Sequence, residues 1–258
     1  MSYTSKIPPL KYPTSNLPTY LEVGTLVLDS DTKKNKVFND SSWDVVSGES
    51  LGTVTIVSSN SSTYDQIEGD IPDNWKQVDT SLKGLVIGTS CTSIGSNAFY
   101  FCTNLSNSLV IPDSVTSIGS RAFYQCDNLT GSLVIPDSVT SIGDYAFSNC
   151  SGFNGSLTIG NSVTSIGTYA FRNCIMIAGP LIIPDSVTSI GTQAFSYLMS
   201  LGAVYTNTPA SSFTGSNAFG GTGFTTIYTG PNATGYTSSF QGRTGLTISP
   251  WTNYPTIP

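Results

Sequence analysis

Cysteine and aspartate side chains recur at a fixed spacing in the middle of the chain, and both types could bind a metal ion. Thiolates are ligands of zinc and carboxylates are ligands of calcium. The period is 24 residues for both series, which comprise Cys102, Cys126, Cys150, Cys174, Asp113, Asp137 and Asp185. Zinc sites, however, usually place cysteines in close pairs, and the chain has no histidine that could complete such a site.

A structural role explains both series better than a metal does. Leu198 stands where a fifth cysteine would fall, which suits a buried apolar position. Asn161 interrupts the aspartates, and one carboxylate per repeat provides too few oxygens for calcium. We therefore expect the cysteines to be buried, reduced and metal-free, with a disulfide between neighbours as the alternative. The aspartates are expected to cap turns, and no cofactor is predicted.

Composition excludes several classes of protein. The chain of 258 residues has ten basic residues and a net charge of −6, which offers no surface for nucleic acid or for an anionic membrane. No apolar run approaches the roughly 18 residues of a membrane span. The start of the chain is polar and interrupted by proline, so no secretory signal peptide is expected.

The residues that catalysis would need are also scarce. Without histidine, the commonest general base and the serine–histidine or cysteine–histidine dyads are missing. A glycan depolymerase would need paired carboxylates in a groove, and the repeats offer only the aspartate series and Asp144. We therefore predict that the chain is not an enzyme, with a glycan depolymerase as the least favoured alternative.

A 24-residue repeat must position all of these side chains. Residues 109–132 read LVIPDSVTSIGSRAFYQCDNLTGS, and a degenerate copy at 205–227 keeps the Ala-Phe pair at Phe219. The other copies occupy 85–108, 133–156, 157–180 and 181–204. One unit cannot bury its apolar side chains alone, whereas a stack of units forms a continuous core. The period therefore predicts a mainly β repeat solenoid.

The positions within one unit predict the path of each coil. Leu109 and Ile111 alternate with Val110, which is typical of a strand with one buried face. A second short extended segment should end at Gly119, where glycine permits a sharp bend, and the Ala-Phe pair should form a brief helical or 3₁₀ turn. Stacking at about 4.8 Å then builds ladders of identical side chains. The aromatic ladder comprises Phe99, Phe123, Phe147, Phe171 and Phe195.

These motifs resemble the BspA-like, Treponema-type leucine-rich repeat, with its pattern L-x-I-P-x-x-V-x-x-I-G-x-x-A-F-x-x-C-x-x-L. Residues 85–204 match this pattern closely and 205–246 match it loosely. The segment Thr226–Phe240 is similar to the closing unit of that family, with Phe240 where tryptophan is common. The resemblance implies a curved solenoid with no active site, used for adhesion or partner recognition on bacterial and protozoan surfaces and in viruses.

Positions that vary between copies are those that the fold does not dictate. Around the Ala-Phe turn they are rich in tyrosine and arginine, the usual anchors of interfaces. The candidate recognition surface comprises Tyr100, Phe101, Arg121, Tyr124, Tyr145, Tyr169, Arg172 and Tyr197. It could bind a host-surface protein or a glycan. The alternative is that these tyrosines only shield the rim of the coil.

The middle position of each first strand forms a second candidate surface. These side chains should face outward as a β-branched row, which either serves the strand itself or is covered in an assembly. With a tryptophan of the N-terminal segment, this candidate assembly surface comprises Val86, Val110, Val134, Thr158, Ile182 and Trp43.

The flanking segments differ from the repeats. Residues 1–20 are predicted to be an extended proline-rich arm, and 247–258 an extended tail. Residues 51–84 and 205–246 should cap the two ends of the solenoid, because terminal repeats must cover an open core. Residues 21–50 should form a small β-meander with strands at 25–28, 36–38 and 43–46.

The meander segment resembles a hairpin of bacteriophage tail-fibre and other virion proteins. Its matching residues are Gly24, Asp29, Asp31, Thr32, Lys36, Val37 and Trp43. That resemblance implies attachment to other virion proteins through the N-terminal module, and a homo-oligomer. We therefore expect a virion structural protein, either tail fibre or capsid decoration, that displays the solenoid on the virion surface. The alternative is a cellular adhesin located at the cell surface.

Overall fold

The computed structural model describes residues 69–75 and 82–251 in full, together with the backbone of five strands at the N-terminal end. These strands are β1 (Leu10–Tyr12), β2 (Leu26–Asp29), β3 (Asn35–Asn39), β4 (Ser42–Val46) and β5 (Thr55–Val57). The strands β2, β3 and β4 pair antiparallel in chain order, so the predicted meander is confirmed with slightly shifted bounds. The predicted arm contributes β1, which pairs parallel with β2.

The repeats form the predicted mainly β solenoid. Its strands are β6 (Gly84–Val86), β7 (Ser93–Ile94), β8 (Ser117–Ile118), β9 (Leu133–Ile135), β10 (Ser141–Ile142), β11 (Leu157–Ile159), β12 (Ser165–Ile166), β13 (Gly179–Ile183), β14 (Ser189–Ile190), β15 (Leu201–Thr206), β16 (Thr226–Thr229) and β17 (Thr247–Pro250). A short 3₁₀ turn covers Ala210–Ser212.

Two faces of each coil carry the strands. On one face, the two-residue Ser-Ile strands form a continuous parallel sheet in the order β14-β12-β10-β8-β7, with serine paired to serine and isoleucine to isoleucine. On the other face, β9 pairs with β11, and β13-β15-β16-β17 form a parallel sheet. The predicted tail therefore begins with a strand of the solenoid, since β17 pairs in register with β16.

The second face is interrupted between the first two coils. Leu109 and Ile111 are buried and Val110 is exposed, as predicted, but this segment is not a strand. Asn107 provides the reason, because its side-chain amide accepts from the N–H of Leu85 and donates to the Leu85 carbonyl. The amide thus takes hydrogen bonds that a neighbouring strand would make. The other edge of β6 pairs antiparallel with β5 along its whole length.

A stack of phenylalanine rings runs through the centre of the solenoid. Adjacent rings from Phe99 to Phe219 lie 5.0–5.6 Å apart between centroids and within 13° of parallel. The predicted ladder is confirmed and extends by one coil, to Phe219. Trp75 meets the first ring edge-on at 5.6 Å, and Phe224 meets the last one at 5.2 Å. The edge-to-face contact of Trp75 therefore closes the N-terminal end of the stack. At the other end Phe224 lies in the same coil as Phe219, and Phe240 of the following segment lies 6.4 Å from Phe219.

The predicted helical turn at the Ala-Phe pair is wrong in detail. The segment consists of successive turns, in which the N–H of Tyr124 donates to the carbonyl of Arg121 and the N–H of Cys126 to that of Phe123. Arg121 and Gln125 have positive φ values of 55° and 56°, which no 3₁₀ helix accommodates. Left-handed residues therefore separate the turns, so the segment is not a continuous helix.

The glycine of each Ser-Ile-Gly motif is needed for close packing and not for the bend that we predicted. Gly119 and Gly143 do not have left-handed backbones. A Cβ on Gly143 would lie 2.5 Å from the backbone nitrogen of Ser120 in the preceding coil. Such a contact is shorter than van der Waals separation permits, so only glycine lets the coils approach this closely.

The cysteines lie in the core as predicted. All five are buried, and none of them forms a disulfide. The thiols of Cys126, Cys150 and Cys174 each donate to the carbonyl of a phenylalanine 27 residues earlier, at 2.9–3.1 Å. Each thiol therefore helps to join its coil to the preceding one.

Replacing Phe147 with alanine should lower the free energy of unfolding by about 3–5 kcal/mol, the usual cost of removing a large buried aromatic side chain. The residue is fully buried with stacked rings on both sides, so the cavity cannot easily collapse. Urea denaturation followed by circular dichroism measures the change. A loss below about 1 kcal/mol would contradict the ring stack.

The buried thiols should make stability fall at alkaline pH. Burial raises the pKa of Cys174 from 9.0 to about 12. Between these values the unfolded chain loses the proton and the folded chain keeps it, so stability falls as pH rises through this window. One thiol contributes a slope of about 1.4 kcal/mol per pH unit. Between pH 9.5 and 11, the free energy of unfolding of the variant Cys174→Ala, measured by urea denaturation, should therefore fall less steeply with pH by that amount. The cavity that the substitution leaves lowers the free energy equally at every pH, so it does not affect the slope. Parallel stability curves would contradict the assignment.

Candidate recognition surface

The predicted recognition residues stand mainly at positions with a left-handed backbone. Each coil has two such positions around the Ala-Phe turn, with φ values of 52–63°. The first column comprises Asn97, Arg121, Tyr145, Tyr169, Gln193 and Asn217, and the second Phe101, Gln125, Asn149, Asn173 and Tyr197. Asparagine is among the non-glycine residues that prefer this conformation. The left-handed backbone therefore does not explain why tyrosine, arginine and phenylalanine occupy these positions.

Hydrogen bonds between coils hold this conformation in place. The N–H of Arg121 donates to the carbonyl of Asp144, and the N–H of Tyr145 to that of Thr168, each at 2.8 Å. A left-handed residue other than glycine costs roughly 1–2 kcal/mol. One backbone hydrogen bond contributes about as much, so the strain is offset where the next coil is present.

All eight predicted recognition residues lie in one chain of contacts, which we call the aromatic band. Tyr100 stacks on Tyr124 at 5.2 Å, and Phe101 tilts against Tyr100 at 4.6 Å. Tyr124 meets Tyr145 edge-on at 6.1 Å, and Tyr145 meets Tyr169 at 4.7 Å. The band thus crosses the first coils without interruption.

Two arginines complete the aromatic band by stacking on its rings. The guanidinium of Arg121 lies 5.0 Å from the ring centre of Tyr145. That of Arg172 lies between Tyr169 and Tyr197, at 5.5 and 5.4 Å. The fully described residues contain four cationic side chains, and two of them belong to this band. The Nε of Arg172 is buried and has no hydrogen-bond partner, so ring faces are its main neighbours.

Exposure within the aromatic band fits both interpretations of its tyrosines. Tyr145 and Tyr169 are half-buried, which agrees with shielding of the coil below, whereas Arg121 and Tyr197 are exposed. Shielding alone requires no cation and no particular ring, since Asn97 and Asn217 occupy the same column at the two ends. The combination of rings with stacked guanidinium groups is suited to binding a partner.

The predicted assembly surface is only partly exposed. Val110 and Val134 are 68% and 50% exposed, whereas Val86, Thr158 and Ile182 are half-buried. Strand register continues this row from Ile182 to Tyr205 and Tyr228, whose rings stack at 4.6 Å. The side chain of Trp43 lies outside the described residues.

The aspartates bond to the following coil. Asp137 accepts from the N–H of Asn161 at 2.7 Å, and Asp185 from the side-chain amide of Asn207 at 2.9 Å. The predicted capping role therefore applies to Asp137, which caps the turn of the next coil and not its own, whereas Asp185 binds a side chain of the next coil. At the first coil, Asp70 accepts from Thr92 and Ser93, and the hydrogen bond from the Thr92 hydroxyl lowers its pKa. Within the described residues no three Cys, Asp or Glu side chains are grouped as a metal site.

Two further surfaces escaped sequence reasoning. A groove of about 730 Å³ follows the Ser-Ile strands and is lined by their serines, among them Ser117, Ser141 and Ser165. A strand only two residues long leaves no alternation from which to infer an outward row. The other is a group of exposed apolar side chains at Ile175, Met176 and Met199. Its sequence signal was an apolar residue at a repeat position that is polar in the earlier coils.

Comparison with known proteins assigns the chain to a family. The sequence pattern of the BspA type leucine rich repeat region matches residues 71–132 and 130–247 in six copies, which is more than half of the chain. The chain belongs to the BspA-type leucine-rich repeat family. None of the curated proteins compared with it is similar.

Solved structures with a similar fold include other leucine-rich repeat proteins. One from T. pallidum is 22% identical, with a TM-score of 0.46 over 64% of this chain and 79% of that chain. A leucine rich cell surface protein from Faecalibacterium prausnitzii is 18% identical, with a TM-score of 0.37 over 94% and 97%. The pneumococcal vaccine antigen PcpA is 13% identical, with a TM-score of 0.43 over 72% and 68%. Within its described residues, this BspA-type protein has no helix long and apolar enough to cross a membrane.

Replacing Tyr145 with asparagine should change the free energy of unfolding by less than about 1 kcal/mol. The substitution loses the contacts of this half-buried ring with Tyr124, Tyr169 and Arg121. Asparagine offsets that loss because it tolerates the left-handed backbone, which costs other residues roughly 1–2 kcal/mol. Tyr145→Val is the matched control, and it should be clearly less stable because a β-branched residue does not tolerate this conformation. Thermal denaturation of both variants tests the prediction, and equal stability of the two would contradict it.

Proposed function

We propose that the chain is a non-enzymatic recognition protein, displayed at a cell surface, that binds a partner on another surface through the aromatic band. The observation that carries the proposal is the continuous contact of rings and guanidinium groups, since five of the eight residues stand at positions where the left-handed backbone favours asparagine. Membership of the BspA-type family supports display, since the repeat resembles that of surface adhesins.

Location on a virion is the second candidate. It depends on the hairpin pattern between Gly24 and Trp43, and the strands β2, β3 and β4 have the backbone order that this pattern needs. The matching side chains lie outside the described residues, and the comparisons provide no support for a virion location. Labelling intact cells and purified particles with an antibody against residues 85–246 distinguishes the two locations.

Binding should depend on the aromatic band and not on solenoid stability. The double variant Tyr145→Asn, Tyr169→Asn should keep its melting temperature within a few degrees but bind at least about tenfold more weakly, because aromatic anchors dominate interfaces. Attachment of the full chain to plates coated with a panel of host glycoproteins and polysaccharides measures the effect. Val110→Thr, Val134→Thr is the control on another face, and Thr158 shows that its column accepts threonine. Unchanged attachment of the tyrosine variant would disprove this role of the band.

A further inference from the structure

We propose that the exposed apolar group beside the aromatic band binds a protein segment that carries acidic and apolar side chains. This apolar patch comprises Ile175, Met176, Tyr197 and Met199. The inference rests on the proposed function, since it names the chemistry of a partner that also meets the C-terminal end of the band.

Exposure concentrates apolar side chains at this one place. Six large hydrophobic residues of the described part of the chain are exposed, and four of them form the patch. Their exposed fractions are 39% for Ile175, 48% for Met176, 44% for Tyr197 and 58% for Met199. Large apolar groups in contact with water usually mark an interaction surface when they are contiguous.

The repeat itself shows that the fold does not require these residues. The position of Ile175 and Met199 is occupied by Thr103, Asp127 and Ser151 in the preceding coils. The core position of the same segment is already filled by Ile177, which is fully buried. The apolar side chains therefore add nothing to the core that the polar residues of earlier coils lack.

The charged group beside the patch is the guanidinium of Arg172. Between residues 157 and 204 the only charged side chains are Arg172 and Asp185. The carboxylate of Asp185 already accepts a hydrogen bond from the side-chain amide of Asn207. Arg172 lies against Tyr197, which belongs to both the aromatic band and the patch. A carboxylate on the partner would complement this guanidinium, and apolar side chains next to it would cover the methionines.

The chemistry of the patch favours a protein segment over a glycan. Isoleucine and methionine offer no hydrogen bonds to hydroxyl groups, and covering sugar hydroxyls with them would leave those groups unpaired. Apolar side chains of a peptide gain free energy from the same contact. Methionine is also flexible, so its side chain can fit apolar surfaces of different shapes on a peptide partner.

Methionine signals provide a direct probe. The chain has three methionines, Met1, Met176 and Met199, so two of the three ¹³C-methyl signals of labelled full-length protein report on the patch. The titrants are three twelve-residue synthetic peptides and one neutral polysaccharide, dextran. The peptides interleave Leu and Phe with Asp and Glu, Leu and Phe with Lys, or Ser and Asn with Asp and Glu. We expect the acidic apolar peptide to shift the Met176 and Met199 signals and leave Met1 in place.

Substitutions to residues of the earlier coils test the site without disturbing the fold. Ile175→Ser, Met199→Thr should weaken binding of the acidic apolar peptide at least about tenfold in fluorescence anisotropy. Arg172→Gln should weaken it by a smaller factor and abolish the preference over the lysine peptide. The double variant Val110→Thr, Val134→Thr is the control, because it removes exposed apolar surface on another face of the solenoid. It should bind the peptide as tightly as the parent chain does.

Each other outcome overturns the inference. These outcomes are equal shifts with the lysine peptide, shifts with dextran, no shift with any peptide, and shifts that depend on protein concentration alone, which would mean that a second copy covers the patch. The proposed function fails separately, if the variant Tyr145→Asn, Tyr169→Asn attaches to coated surfaces normally. Peptide binding at Met199 would then stand as a property of the patch alone.

Discussion

Backbone hydrogen bonding between successive coils is the interaction on which the rest of this structure depends. The two-residue Ser-Ile strands pair in exact register, and the left-handed residues of the Ala-Phe turn donate to the coil that follows. Both sets of bonds require that equivalent atoms of neighbouring coils lie one strand spacing apart, about 4.8 Å. A repeat of 24 residues without insertions meets that requirement along the Ser-Ile strands from β7 to β14.

This spacing accounts for the side chains that do not vary. Gly143 has no room for a Cβ above Ser120, because the backbones approach as closely as paired strands do. Phenylalanine fills the centre since flat rings can repeat at nearly this distance in parallel. Cysteine is small enough to lie beside the rings and still donates to the carbonyl of Phe123. An edge-on contact from Trp75 then covers the open end that the stack would expose at Phe99.

The same spacing leaves other positions free, and those positions carry the surface on which a partner could bind. Left-handed residues direct their side chains away from the core, so Arg121 and Tyr169 do not compete for core volume. Because neighbouring coils are so close, isolated rings become a continuous aromatic band. The apolar patch at Met199 follows the same rule, since it replaces polar residues of earlier coils at an outward position. Recognition surfaces can therefore change from coil to coil while the stack remains intact.

The sequence by itself determined the solenoid, its period and the buried ladders, because a strict repeat turns each position into a column. The eight residues of the aromatic band were predicted differently, from positions that vary between copies. The sequence did not determine the backbone conformation and the contacts between coils that hold those columns in place. The left-handed turn at Arg121, the steric role of Gly119 and the side-chain hydrogen bonds of Asn107 depend on contacts between residues about one repeat apart. Only the tertiary structure decided which variable side chains touch, since the cation–π contact of Arg172 with Tyr197 follows from the separation of two coils and from no local pattern.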